Sequence, residues 1–471
     1  MVRGALLGLI GWGTAALGTH LREGEAGHNV FLEGNMGGTL GPQTISPQLR
    51  EIAERAASYP DMIFNNVYHK VNVDLLREAY RQTRKDGSPG LDKVTAAEYA
   101  ENLEENLESL CDRLKWGTYV APPVERVWIE KENGKQRPIG KPTFEDKIVQ
   151  RAVSMVLQVI YDVNFHDFSH AFRKGHSQHQ AIQELRENCL KLNIGWIVSA
   201  DITGLFDNID HGLLREFIRR RVIDGGILRL ISKWLNAGVF ENGEISYPER
   251  GTPQGGVVSP VLSNIFLHYV LDDWFVEQVK PRMKGRCFLI RFADDFIIGC
   301  ELESDARRIM EVLPKRFDRY GLGLHPDKTS MIPFKRPSRS SWSQKGSRSF
   351  DFLGLTFYWS RSRRGYWVIK KKTASKRLSR FMKRLWQWCR ENRHEPLKEQ
   401  YQALCSKLRG HFQYYGVRGN FRALEVVFEF AKKAWRFWLS RRSHKGGISW
   451  EKFEKIRTSY PFPKPRIVHN I

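Results

Sequence analysis

The sequence predicts an α+β protein with β-hairpins in its body and an all-helical region in its last quarter. In residues 287–300, two short apolar runs flank the pair Asp294-Asp295, a pattern typical of a β-hairpin with a buried face. A second hairpin is predicted around Asn133-Gly134, because Asn-Gly between two strand-like runs favours a tight turn. From about residue 374 onwards the chain is predicted to be helical.

The first part of the chain is predicted to be helical apart from one hairpin. Residues 1–45 are rich in glycine, show no sustained period and are interpreted as a poorly ordered leader. Ser46-Pro47 is a suitable helix start, because serine caps helices and proline is favoured at the first helical position. Helices are predicted over residues 46–58, 72–84, 96–114, 142–160 and 178–192, and strands over 124–130 and 135–140.

The middle of the chain alternates between strands and helices. Residues 196–202 read W-I-V-S-A-D-I and are predicted to form a strand that ends in Asp201. The segment G-T-P-Q-G-G at 251–256 is predicted to be a loop, in which Gly255-Gly256 either lets a second backbone approach closely or forms an ordinary turn. Further helices are predicted over residues 212–221, 260–279, 306–320, 374–393, 396–411 and 421–441, and strands over 350–359 and 365–369.

The positive charge of the chain is concentrated in its last quarter. The formal net charge is +23 over 471 residues. Residues 1–360 hold 46 Lys and Arg against 45 Asp and Glu, whereas residues 361–471 hold 29 against 7. A basic, aromatic-rich segment beside a near-neutral body is typical of a nucleic-acid-binding module. Association with a membrane surface, the alternative, fits less well because no apolar anchor accompanies the charge.

Cysteine usage and hydropathy narrow the class of protein. The six cysteines form no C-x-x-C pair, so the sequence predicts neither a zinc site nor disulfides and favours a reducing compartment. No apolar run is long enough to span a bilayer. Residues 5–18 are apolar and follow Arg3, but glycines and Trp12 interrupt them, which argues against a signal peptide. We therefore expect a cytoplasmic protein without a membrane partner.

Three carboxylates are candidate metal ligands: Asp201 at a strand end, and Asp294 and Asp295 on a hairpin. Carboxylates at such a tip are costly to desolvate without a cation, although aspartate is also common in surface turns. Nucleotidyl transfer needs such a set, because one Mg²⁺ ion activates a 3′-hydroxyl and a second stabilises the leaving pyrophosphate. Adjacent antiparallel strands would bring the three residues together.

A nucleoside triphosphate also requires cationic partners. Lys131 and Arg137 flank the predicted Asn-Gly turn, where they could grip phosphate oxygens. Most lysines and arginines are solvated surface charges, and this alternative stays open for both residues.

Taken together, these blocks resemble the reverse transcriptases of the group II intron type. The central blocks are F-A-D-D (292–295), A-D-I-T-G-L-F-D-N-I-D-H (200–211), G-T-P-Q-G-G (251–256) and F-L-G (352–354). Residues 137–153 and 172–182 resemble the finger blocks of that family. L-R-G-H-F-Q-Y-Y-G-V-R-G-N (408–420), followed by W-L-S-R-R-S (438–443), resembles its maturase domain.

The resemblance implies a right-hand polymerase of fingers and palm, the palm having an antiparallel sheet, followed by an all-α thumb and maturase domain. The implied domains are a leader (1–45), fingers (46–195), palm (196–370), thumb and maturase domain (371–445) and a C-terminal tail (446–471).

The resemblance also implies roles for individual residues. Two Mg²⁺ ions would be held by Asp201, Asp294, Asp295 and the backbone carbonyl of Ile202. Nucleotide would be bound by Lys131, Arg137, Phe206 as a steric gate against ribose, Gln254 and Lys328, although Lys328 is equally well explained as a plain surface lysine. RNA would be bound by Arg409, His411, Tyr414, Tyr415, Arg418, Arg441 and Arg442.

The function implied is that of an RNA-directed DNA polymerase and intron maturase. Its partners would be group II intron RNA, an RNA template with a DNA primer, target DNA and dNTPs. A splicing cofactor without polymerase activity and a domesticated, defence-associated reverse transcriptase stay open as alternatives. Lys141 and the K-G-H at 174–176 depart from the usual finger blocks and would alter template contacts. The C-x-x-C-bearing nuclease module of some relatives is missing, so self-contained second-strand cleavage is not expected.

Overall fold

The computed structural model describes residues 47–130, 136–252, 255–338, 348–442 and 447–471. Within these ranges the predicted α+β class is confirmed, with three β-sheets between an N-terminal and a C-terminal group of helices. The predicted leader (1–45) and two predicted nucleotide-binding residues, Lys131 and Gln254, lie outside the described residues.

The elements follow one another in a mixed order. The helices are α1 (Pro47–Ser58), α2 (Val73–Gln82), α3 (Ala96–Glu101), α4 (Leu103–Lys115), α5 (Phe144–Tyr161), α6 (Gln178–Lys191), α7 (Leu205–Asn208), α8 (His211–Arg219), α9 (Gly225–Leu235), α10 (Ser259–Leu267), α11 (Glu303–Asp318), α12 (Ser375–Glu391), α13 (Leu397–Tyr415), α14 (Phe421–Leu439) and α15 (Trp450–Ser459). The strands are β1 (Val124–Glu130), β2 (Gln136–Lys141), β3 (Trp196–Thr203), β4 (Val239–Glu241), β5 (Glu244–Ser246), β6 (Cys287–Phe292), β7 (Asp295–Cys300), β8 (Gly323–Leu324), β9 (Ser330–Pro333), β10 (Phe350–Phe352), β11 (Leu355–Arg361) and β12 (Trp367–Thr373).

The N-terminal helices pack around α5. Thirteen of the 18 residues of α5 are buried, as expected for a helix at the centre of a core. Its first turn is capped by the side chain of Thr143, which accepts a hydrogen bond from the amide of Asp146. The single helix predicted over 96–114 is observed as two, because Asn102 has φ −122° and ψ 47°. Asparagine favours such breaks, since its side chain competes for backbone hydrogen bonds.

The first sheet, of order β2-β1-β4-β5, joins two distant parts of the chain. The predicted hairpin of β1 and β2 is observed, and β1 also pairs in parallel with β4. The sheet therefore crosses the implied finger–palm boundary at residue 195. Neither α9 nor the pair β4–β5 was predicted, and strands of three residues carry too little sequence pattern to be recognised.

The central sheet has the order β6-β7-β3-β8, with β9 also paired to β3, and all its pairs are antiparallel. The predicted hairpin of residues 287–300 is confirmed as β6 and β7. Ten of the 12 residues in these two strands are buried, so both faces of the hairpin are covered. At its turn, Ala293 is buried and Asp294 and Asp295 are half-buried.

The helix predicted over residues 260–279 has an irregular geometry. After α10, the chain continues as two π-helical segments, His268–Asp272 and Phe275–Val279. π-Helical turns have i→i+5 hydrogen bonds and often occur at functional sites.

The C-terminal helices form a core of their own beside the third sheet, β10-β11-β12. Trp435 on α14 is fully buried at the centre of this core. The implied tail contributes α15, whose Phe453 is buried in the same core together with Phe462. The described part of the tail is thus integrated into the helical unit.

Candidate carboxylate active site

Three aspartates come together where the pairing of β3 with β7 ends. Asp201 stands opposite Asp295 in the antiparallel register of β3 and β7. The amide of Ile202 donates a hydrogen bond to the carbonyl oxygen of Asp294, 3.2 Å away. The structure therefore brings together the three carboxylates that the sequence singles out, with Ile202 beside them.

The aspartates are crowded enough to raise one another's pKa. Burial, with the negative charges of Asp294 and Asp201, raises the pKa of Asp295 to about 8. Burial and the charge of Asp201 raise the pKa of Asp294 to about 6. A nearby cation would reduce the repulsion among these carboxylates and favour their ionised form. Carboxylate oxygens are among the ligands that Mg²⁺ prefers. The donor set therefore fits a hard divalent cation.

Lys328 contacts one of these carboxylates directly. Its Nζ lies 2.8 Å from Oδ2 of Asp201, and the side chains are 58% and 18% exposed. The amide of His325 donates a hydrogen bond to the carbonyl oxygen of Asp201, which ties the turn that carries Lys328 to β3. The ion pair lies beside the aspartate cluster, and the exposure of Lys328 leaves its Nζ able to exchange Asp201 for another anion.

Arg137, on β2, interacts with the same carboxylates from the first sheet. Burial lowers the pKa of its guanidinium, while the charges of Asp294, Asp207 and Asp201 act in the opposite direction. Arg137 is therefore within electrostatic range of the aspartates. Asp207 was not singled out from the sequence, although it stands in the quoted block 200–211.

The described residues of the predicted loop 251–256 contact β2 and α7. Gly255 has φ +110°, and a Cβ at this position would lie 2.3 Å from the carbonyl oxygen of Gly140 on β2. Close approach of a second backbone, one of the two interpretations, is therefore confirmed. The amide of Thr252 donates to the carbonyl oxygen of Phe206, 2.6 Å away. Phe206 itself is 8% exposed, and a cleft of about 300 Å³ adjoins it at Asp207.

A buried arginine supports the turn that carries the aspartate pair. Arg291 on β6 forms a bidentate ion pair with Asp272, at 2.8 and 2.6 Å, and both side chains are fully buried. Its guanidinium also donates to Oδ1 of Asn264 (3.0 Å), Oγ of Ser169 (2.7 Å) and the carbonyl oxygen of Ala293 (3.3 Å). Ala293 directly precedes the aspartate pair and has φ +56°, which is uncommon for a non-glycine residue.

Arg291 was not singled out from the sequence, although a signal was present. A charged residue inside an apolar strand must find a partner if it is buried, because an unpaired buried charge is strongly destabilising.

Three of the seven predicted RNA-binding residues are exposed: Arg409, Arg418 and Arg441. Arg442 is half-buried and donates to backbone carbonyl oxygens of the chain between α12 and α13. Its contacts are those of a residue that fixes a chain turn.

The remaining three, His411, Tyr414 and Tyr415, lie on α13. His411 is buried, which lowers its pKa to about 4. The hydroxyl of Tyr414 donates to the carbonyl oxygen of Leu353, 2.7 Å away, and Tyr415 packs against Gly354. Leu353 has φ +48° and Gly354 φ +76°, so these tyrosines cover an unusual turn in the F-L-G block. His411 is buried and the two tyrosines are half-buried, and the assignment of these residues to RNA binding stays a prediction.

Residues 129–357 match the family of reverse transcriptases (RNA-dependent DNA polymerases). The match includes all three aspartates, Arg137 and Lys328. Proteins with this domain depend on divalent metal ions and act on nucleic acids. Among the described residues, no helix is long and apolar enough to cross a bilayer.

Several curated proteins are similar to about half of the chain. The group II intron-encoded protein LtrA of Lactococcus lactis subsp. cremoris is 37% identical over 239 residues, which are 50% of this chain and 39% of that protein. Protein YkfC of Escherichia coli is 36% identical over 231 residues, 48% of this chain and 61% of that protein. The putative COX1/OXI3 intron 1 protein of Saccharomyces cerevisiae is 29% identical over 310 residues, 55% of this chain and 36% of that protein. The chain thus spans less than two thirds of the length of each.

Proposed function

We propose that this chain is an RNA-directed DNA polymerase and an intron maturase, because residues 129–357 match the reverse transcriptase family and about half of the chain is similar to group II intron-encoded proteins. The proposal is carried by the carboxylate cluster, in which Asp201 lies opposite Asp295 and Asp294 lies beside Ile202. We propose that these three carboxylates and the carbonyl oxygen of Ile202 hold two Mg²⁺ ions.

The chemistry of the proposed site divides between the ions and the protein. Bound Mg²⁺ would activate the 3′-hydroxyl of the primer and stabilise the leaving pyrophosphate. Arg137, which interacts electrostatically with Asp294 and Asp207, would bind triphosphate oxygens in bidentate fashion. Lys328 would release Asp201 and hold a proton at Nζ for the pyrophosphate. Each of these groups binds or orients substrate in a partly buried pocket, where charge interactions are stronger than in water.

The nucleotide pocket is proposed to include three further residues. Lys131 and Gln254 are assigned to it by their motif positions alone. Phe206 is held by the hydrogen bond from Thr252 to its carbonyl oxygen, which fixes its backbone beside Asp207. In the proposed role its ring excludes the ribose 2′-hydroxyl.

The proposed nucleic-acid surface begins beside the carboxylates and follows α12. Arg377, in the first turn of α12, is exposed, and its positive charge acts on Asp295. Lys376, Lys383 and Arg384 are exposed on the same helix. We propose that this basic surface binds the primer–template duplex, the intron RNA and target DNA through phosphate contacts.

Primer extension tests the polymerase proposal. Purified protein, an RNA template, a DNA primer and dNTPs are expected to yield extended DNA in the presence of Mg²⁺. Chelation with EDTA should stop extension, and added Mg²⁺ should restore it, because the carboxylates otherwise lack their cations. If the protein bound the primer–template and failed to extend it at any Mg²⁺ concentration, the polymerase proposal would be rejected. That result would favour the alternative of a splicing cofactor without polymerase activity.

Phe206→Val is expected to increase rNTP incorporation relative to dNTP incorporation by about 10-fold or more, because a smaller side chain leaves room for a 2′-hydroxyl. The measurement is kcat/KM for dCTP and CTP in single-nucleotide extension. Phe217→Leu, in a buried position on α8, is the control for loss of core volume. Unchanged discrimination by the Phe206 variant would reject the steric-gate role.

Neutralising the α12 surface is expected to weaken nucleic-acid binding. In the triple variant Lys376→Gln, Lys383→Gln and Arg384→Gln, the affinity for RNA–DNA duplex and for intron RNA should fall, and the slope of log K against log salt should become shallower by up to about 3. The comparison is Arg50→Gln with Arg55→Gln, two exposed charges on α1. Equal slopes in the two variants would contradict the assignment of α12.

A further inference from the structure

A second group of potential metal ligands lies apart from the three aspartates. His166 follows the end of α5, His268 is the first residue of the π-helical segment, and Asp273 comes directly after that segment. One nitrogen or oxygen atom from each of the three lies within 4.8 Å of the others. The cluster is accessible, since the side chains of His166 and Asp273 are 29% and 25% exposed.

Both imidazole rings direct the same nitrogen towards one carboxylate. Nε2 of His166 lies 2.9 Å from Oδ1 of Asp273, and Nε2 of His268 lies 3.5 Å from Oδ2. Ligands of a single Zn²⁺ ion, each about 2.0–2.2 Å from the metal, stand about 3–3.6 Å from one another. The two histidine–aspartate distances are therefore close to those between ligands of one ion, and the ligand atoms of the two histidines lie within 4.8 Å of each other.

The π-helical turn produces this spacing. The amide of Asp273 donates to the carbonyl oxygen of His268, the i→i+5 bond of a π-helix. In a regular α-helix, residues three or four apart share a face and residues five apart do not. The wider turn brings His268 and Asp273 to one side, opposite His166, whose ring stacks on Phe168 with centroids 5.0 Å apart.

One ring nitrogen of His268 is directed at the carboxylate of Asp273. This nitrogen, Nε2, lies 3.5 Å from Oδ2 of Asp273. Nδ1 of His268 has no hydrogen-bond partner among the described residues, which leaves Nε2 as the nitrogen that defines the contact.

We propose that His166, His268 and Asp273 bind one divalent transition-metal ion of the zinc class. Two imidazoles and one carboxylate suit Zn²⁺, Co²⁺ or Ni²⁺, whereas Mg²⁺ prefers a shell of oxygen ligands. The cysteine pattern, which argues against a zinc–thiolate site, does not bear on a site built from histidine and aspartate. The site goes beyond the proposed polymerase activity and does not depend on it.

The bound ion would join two segments that support the carboxylate turn. Asp272 and Ser169 are hydrogen-bond partners of Arg291. Asp273 directly follows Asp272, and His166 is three residues before Ser169. An ion at this position would therefore fix the segment after α5 to the π-helical segment next to the buried Arg291 network.

Metal titration tests the proposal in the full-length protein after removal of metal by chelation. Zn²⁺ titrated against a chromophoric chelator should bind with one equivalent at this site, and Co²⁺ should give visible absorption bands of a nitrogen- and oxygen-ligated ion. His166→Gln and Asp273→Asn should each abolish that equivalent, and a 1000-fold excess of Mg²⁺ should not displace it.

Two control variants distinguish this site from two other groups of potential metal ligands. His176→Ala alters a neighbouring pair in which Nδ1 of His170 and Nδ1 of His176 lie 3.3 Å apart, and Asp294→Ala with Asp295→Ala alters the proposed Mg²⁺ site. Both variants should retain the Zn²⁺ equivalent. Binding that survives His166→Gln and Asp273→Asn, that disappears in His176→Ala, or that is absent from the wild type would overturn the proposal.

Thermal unfolding checks that the variants fold and gives a second measurement. Zn²⁺ should raise the unfolding midpoint of the wild type, because a ligand that binds only the folded state stabilises it. The midpoint of Asp273→Asn, a variant that preserves the side-chain shape, should not respond to Zn²⁺. If Zn²⁺ raised the unfolding midpoint equally in the wild type and in Asp273→Asn, the ion would bind at another site.

Discussion

Replacing Asp294 and Asp295 with alanine is expected to abolish RNA-templated DNA synthesis without unfolding the protein. The double substitution removes two of the three carboxylates assigned to Mg²⁺, and bound metal ions stabilise transition-state charge by several kcal/mol. We expect the rate of primer extension to fall at least about 1000-fold. Single-turnover extension at saturating primer–template measures this rate and separates it from binding.

The same double variant is expected to be more stable than the wild type when metal is absent. The pKa values of Asp294 and Asp295 are raised in the folded protein, so the folded state retains protons that the unfolded chain releases near pH 4. The stability associated with these protons is present at acidic pH and decreases as the pH rises to about 8. The gain from the double substitution should therefore be larger at pH 8 than at pH 5.

A control variant and a measurement with added Mg²⁺ test these expectations. Asp318→Ala, at an exposed position at the end of α11, should change neither extension nor the pH dependence of stability. Mg²⁺ should stabilise the wild type at pH 8 and have little effect on the double variant. Undiminished extension by the double variant would remove the basis of the two-metal assignment.

The sequence predicts the hairpin that carries Asp294 and Asp295 because its signals are local. β6 and β7 are two largely apolar runs, interrupted within β6 by Arg291, and the pair Asp294-Asp295 lies between the runs, so a turn with carboxylates at its tip is the simplest solution. Asp201 ends a run of the same kind. α5 has an N-terminal cap at Thr143 and an apolar sequence of helical length. In each case, residues close together in the sequence determine the secondary structure.

Contacts between distant residues account for what the sequence does not predict. β4 pairs in parallel with β1, and no local pattern encodes that partner. Tyr414 has the sequence context of an RNA-stacking residue, yet its position is set by its hydrogen bond to the turn at Leu353. The partners of Arg291 come from three separate segments, so the residue is recognisable as a support for the active site only once the chain is folded.

Arg291→Met is expected to destabilise the protein and to inactivate the polymerase. Asp272 would remain as a buried charge without its bidentate partner, and breaking a buried ion pair in this way costs about 3–5 kcal/mol. The carbonyl oxygen of Ala293 would lose its hydrogen bond at a backbone conformation that a non-glycine residue adopts rarely. Chemical denaturation measures the first effect, and primer extension under native conditions measures the second.

A compensating substitution separates positioning from stability. Arg291→Met combined with Asp272→Asn removes both charges, so much of the lost stability should return. Activity should not return with it, because nothing then fixes the Ala293 turn, and the Mg²⁺ concentration for half-maximal extension should rise.

Arg77→Ala, which breaks an ion pair with Glu104 between α2 and α4, should leave both the stability and the extension rate unchanged. If the compensated variant regained wild-type extension and the wild-type Mg²⁺ requirement, Arg291 would serve only to stabilise the core. A low rate with restored stability would mean that its contact with Ala293 places Asp294 and Asp295 for metal binding.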